Sequence, residues 1–178
     1  MSSFIAAFFP SFLATVFGIA LGIPAAFYVN RRMLNAQIDA STAMLTARRK
    51  VAAKVLIQSC LYNIKVLESV AEFAMQGKVM RKLDLQLTTW DAVGPVLTPD
   101  FPDPMLLQQL AHHWVRLRHL ELLNDDMFRR EVGMLPAFKD DDMMLGMWGE
   151  LYELSTSLSR HASQTAEALK PYSASVEE

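Results

Sequence analysis

The chain has 178 residues, 52% of them hydrophobic and 20% charged, with a formal net charge of −2 at pH 7. That length allows one ordinary folded domain, and a single cysteine, Cys60, excludes an intrachain disulfide framework. The net charge conceals an asymmetry: residues 1–54 carry six Lys or Arg against Asp39 alone, whereas residues 55–178 carry eleven basic and eighteen acidic side chains, a balance that argues against nucleic acid as a partner.

Behind a short outer terminus (1–3), residues 4–29 run for 26 positions from Phe4 to Val29 without a charge. At about 1.5 Å per residue such a run exceeds a hydrocarbon core of roughly 30 Å, so the sequence predicts a transmembrane helix with the lipid bilayer as its first partner. No basic residue precedes Phe4, as a cleavable signal would require. Arg31 and Arg32 follow the span directly, and this membrane-flanking pair predicts an N-terminus outside and a C-terminal domain in the cytoplasm of a prokaryotic inner (plasma) membrane, a single-pass arrangement. Ala14, Gly18, Gly22 and Ala26 recur every four residues, a small-residue face suited to transmembrane association and hence to a homo-oligomer or to contact with another membrane protein.

Residues 30–52 read as a helical connector, and residues 53–170 as a helical bundle. From Arg31 to Gln76 there is neither proline nor glycine, and Gly77 marks a helix end. Ala53, Ile57, Cys60, Ile64, Leu67, Ala71 and Ala74 alternate at four- and three-residue steps, the coiled-coil rhythm of a helix that packs on partners at a shallow angle. A second helix is announced by Asp103 before Pro104 and ends near Gly133, with Leu107, Leu110, Trp114 and Leu117 as its inner stripe. A third starts among Asp140, Asp141 and Asp142 and stops before Pro171, keeping the same rhythm through Met144, Trp148, Leu151, Ser155, Leu158, Ala162, Thr165 and Leu169.

The fold class expected from these elements is all-α: one N-terminal transmembrane helix, then an antiparallel three-helix bundle with an irregular insertion between its first two helices. The insertion, residues 78–102, contains a short helix around Trp90 and is broken by Pro95, Pro99 and Pro102. Residues 171–178 are a flexible tail. Leu56, Cys60, Asn63 and Leu67, then Leu87-Thr88-Thr89-Trp90-Asp91-Ala92, then Leu106, Leu110, Trp114 and Leu120 to Asn124, give the chain a layout that resembles a broad, uncharacterised group of prokaryotic single-span membrane proteins with a helical cytosolic domain. The resemblance spans residues 5 to about 130 and departs at Ser59, where that group often has an acidic residue. It implies an anchor and a helical bundle, and no reaction.

No catalytic, cofactor or metal set emerges. Cys60, His112, His113, His119 and His161 lack zinc-ligand spacing, no Glu-x-x-His pair marks a di-iron bundle, and no phosphate loop or nucleophile elbow occurs. Asn63 and Asn124 fall near the inner faces of their helices and suggest an interhelix hydrogen-bonded pair, while Trp90, Asp91 and Trp114 mark an interaction or ligand region. The function expected is a membrane-anchored helical scaffold or interaction protein rather than an enzyme. The alternative is a ligand-responsive sensor whose bundle binds a small molecule near the tryptophans and alters transmembrane packing.

Overall fold

The computed structural model describes the backbone of residues 2–99, 101–136 and 141–174, and the side chains of 17, 22–99, 101–136 and 142–174. Four helices account for nearly all of it: α1 (Ser2–Met75), α2 (Thr88–Leu97), α3 (Pro104–Glu131) and α4 (Asp141–Ser173), with no strand among the described residues. The all-α expectation stands in this coarser form, but a spanning helix followed by three others does not describe the chain. Instead, α1 continues without a break from the apolar N-terminal run to Met75, and the insertion contributes a fourth helix.

The single-pass inner-membrane placement is likewise corrected. Among the described residues no helix is long and apolar enough to cross a membrane. Of the small-residue face, Ala14 and Gly18 lie outside the described side chains, while Gly22 and Ala26 are exposed.

The chain divides into two units, Met1–Thr46 and Ala47–Glu178. The first is the N-terminal part of α1, and every described side chain from Gly22 to Thr46 is exposed. Its hydroxyls bond locally: Ser41 and Thr42 donate to Ile38 O at 2.8 and 2.9 Å, and Thr46 donates to Thr42 O at 2.9 Å. Such back-bonding lets polar residues sit within a helix.

In the second unit one apolar cluster joins all four helices: Leu56, Cys60, Leu67, Val70 and Ala74 from α1, Leu97 from α2, Leu106, Leu110, Trp114, Leu117, Leu120 and Met127 from α3, and Leu151, Leu158, Ala162, Ala166 and Leu169 from α4. Burial follows the four-three rhythm, because only that spacing keeps a straight helix facing the same neighbours. Both α1 and α3 end on the same device. Gly77 (φ 62) and Gly133 (φ 77) turn the chain through the left-handed region, and the next amide reaches back, Lys78 N to Phe73 O at 3.0 Å and Met134 N to Arg129 O at 2.8 Å. α4 runs two residues past Pro171, whose missing N–H falls in the last turn.

The start of α3 is fixed by Asp103, whose carboxylate accepts from Leu106 N at 2.9 Å, with Pro104 as the first helical residue. Asp103→Ala should therefore lower stability by about 1 kcal/mol, read as a lower urea midpoint with an unchanged slope, and Asp103→Asn should recover most of it.

Candidate functional site

Residues 78–87 form an irregular strap between α1 and α2 with no regular hydrogen-bonding partner of their own. An irregular segment against a core must have its backbone polar groups satisfied by something else. Here buried side chains of α1 and α3 do it. Asn63 Oδ1 accepts from Gln86 N at 2.8 Å, Trp114 Nε1 donates to Gln86 O at 3.3 Å, and Asn124 Nδ2 donates to Met80 O at 2.8 Å. Ser59 Oγ lies 3.4 Å from Gln86 O and 3.2 Å from Thr89 Oγ1, tying the strap to the first turn of α2. Outside, Tyr62 bonds Asp84 and Arg118 pairs with Asp91. The Asp84 carboxylate, as hydrogen-bond partner and negative charge, raises the Tyr62 hydroxyl above its ordinary range.

The two asparagines therefore do not bond to each other. Asn63 Nδ2 and Asn124 Oδ1, the atoms left over, are buried without a partner, and the strap takes the bonds that a direct pair would have made. Trp90, half-buried on α2, stacks on buried Trp114 with ring centroids 5.9 Å apart and planes inclined by 29°. The two indoles are in contact with one another beside the strap. Trp90, Asp91, Gly94, Pro95 and Thr98 line a shallow outer groove of about 320 Å³. Arg31 and Arg32 are exposed on α1 in the other unit.

A second polar cluster was not anticipated. His113 on α3 is fully buried, and its Nδ1 lies 3.2 Å from Nδ1 of His161 on α4. One turn further along α3, Arg116 Nη2 donates to Ser157 Oγ of α4 at 3.2 Å. Burial, reinforced by the neighbouring cationic groups, pushes the His113 pKa down to about 3, and the same causes lower that of half-buried His161. The signal was present in the sequence: Leu106, Leu110, His113, Leu117, Leu120, Asn124 and Met127 keep four-three steps throughout, which places His113 on the inner seam. His112 and His119 are exposed, and His119 Nε2 stands 3.8 Å from Glu150 Oε1.

The α3–α4 face carries an open groove of about 580 Å³ lined by Arg116, His119, Gly146, Gly149, Glu150 and Ser157 among others. Cys60 is buried in apolar surroundings that push its thiol up to about 12, so it has none of the thiolate character a reactive cysteine needs. Among the described residues no group of three or more His, Cys, Asp or Glu is placed to hold a metal ion. Comparison with known proteins adds no assignment: no family model, no curated protein and no solved structure matches this chain.

Proposed function

We propose that this chain is a helical interaction scaffold that self-associates through the N-terminal part of α1. The observation that supports it is the unpartnered apolar face there. Phe27, Leu34, Ile38 and Leu45 are spaced by seven, four and seven residues, which puts them on one side of the helix, and all four are exposed, Phe27 to 71%. Large exposed apolar side chains in a continuous row mark an association surface. A second copy of the same helix supplies the same row, so a two-fold contact is self-complementary.

The test is sedimentation of the full chain over a wide concentration range, alongside Leu34→Glu with Ile38→Glu. The expected result is a defined oligomer for the natural sequence and a monomer for the double variant, with helicity and unfolding of the second unit unchanged in both. A chain that stays monomeric at high concentration, or a variant that assembles as well as the parent, would overturn the proposal.

A further inference from the structure

The His113–His161 contact joins two nitrogens of the same kind, and its chemistry depends on which of them carries the proton. His113 has no solvent access, and its Nε2 has no partner. A buried orphan N–H is rarer and costlier than a buried orphan acceptor. The favoured neutral tautomer therefore keeps Nε2 of His113 bare and places its proton on Nδ1, which donates across the α3–α4 seam. His161 must then accept at Nδ1 and carry its own proton on Nε2.

We infer that this pair is a proton-operated latch on the α3–α4 seam, closed when His161 is neutral and released when His161 takes up a proton. The added proton lands on the accepting Nδ1 and turns a donor–acceptor contact into two donors facing each other. Among the described residues no negative charge acts on it to compensate. Among the described residues the groups that act electrostatically on both imidazoles are Arg116 and His112 of α3, with His161 acting on His113 as well, and α1 and α2 contribute none. The new positive charge also falls one turn from Ser157, which receives the Arg116 guanidinium. Release thus loosens α4 beside the groove that Arg116 and Ser157 line, and it bares the apolar inner face around Leu158 and Ala162.

The sign follows from linkage. Both imidazoles have folded pKa values below the ordinary 6.5, so the stability they contribute is complete above 6.5 and is lost as pH falls below it. His113 stays unprotonated through the working range while the seam is closed and takes up its proton only in the opened state, so His161 is the group that can be protonated with the latch still shut.

Native-state hydrogen exchange of the full chain at pH ~7.5 and ~5.5, corrected for intrinsic exchange rates, tests the latch together with a nitrogen-15 spectrum of the imidazoles. The expected change is about a tenfold rise in opening of α4 over residues 151–169, tenfold being the equivalent of one pH unit of linked protonation. Residues 52–74 of α1 should change less. His161→Gln, whose side-chain oxygen still accepts from His113 but does not titrate, should shrink the difference to the share that His113 contributes by taking up a proton in the opened state. The spectrum should show His113 protonated at Nδ1 and His161 at Nε2. Equal loss of protection in α1 and α4, an acid response undiminished in His161→Gln, or a proton on Nδ1 of neutral His161 would each overturn the latch.

Discussion

Trp114→Ala should be the most damaging single truncation in the second unit, lowering stability by roughly 3–5 kcal/mol. Three losses coincide. The indole is only 1% exposed, so its removal leaves a cavity among Leu110, Leu117 and the other apolar residues of the cluster. Trp90 loses the ring on which it stacks, a contact worth about 0.5–1.5 kcal/mol beyond its buried area. Gln86 O loses the Nε1 donor and keeps only Ser59 at a long 3.4 Å. Trp114→Phe separates these effects: it retains most of the volume and an aromatic face but removes the donor, so it should cost about 1–2 kcal/mol. Both are read from urea unfolding followed by helicity. A cost below about 1.5 kcal/mol for the alanine variant, against the usual range for a large core truncation, would mean that the strap is not held through this side chain.

Periodicity made the second unit legible at the level of helices and inner faces. Leu151, Ser155, Leu158, Ala162, Thr165 and Leu169 are buried in α4 at the spacing expected of them, and Asp103-Pro104 opens α3 as its chemistry requires. What periodicity does not carry is the partner of each polar side chain. Asn63 and Asn124 were recognisable as inward-facing, but an asparagine at a seam position serves equally well a facing helix or an irregular backbone segment laid between helices. The strap has no periodic pattern from which its path can be read. Proline counting erred in a related way: Pro95 lies inside α2, where it removes one bond and Thr98 closes the helix by donating to Gly94 O through both its amide and its hydroxyl. The N-terminal run suggested a membrane span by its lack of charge over 26 residues, whereas among the described residues no helix is long and apolar enough to cross a membrane. His113 went unnoticed as a seam residue because the stripe was drawn through its larger apolar neighbours.

The strap also decides how the two asparagines should behave in combination. Were they a pair, removing one would leave the other orphaned and the second removal would cost little, giving a coupling energy of about 0.5–3 kcal/mol in a double-mutant cycle. Since Asn63 serves Gln86 and Asn124 serves Met80, each replacement instead strands a separate backbone group. Asn63→Ala and Asn124→Ala should each cost about 1–3 kcal/mol, and the double variant should cost their sum to within about 0.5 kcal/mol. Ser59→Ala with Asn63→Ala should behave differently, because both side chains hold Gln86, one near its carbonyl and the other at its amide; freeing the first lets the second relax, so their costs should fall short of additive. Equilibrium unfolding of the three single and two double variants measures both cycles. Strong coupling between the asparagines, or strict additivity of Ser59 with Asn63, would show that the strap does not mediate between α1 and α3 in the way these bonds require. The predicted pattern makes the strap an element clamped at two independent points, so that α1 and α3 are held in fixed register through it rather than by a hydrogen bond between Asn63 and Asn124.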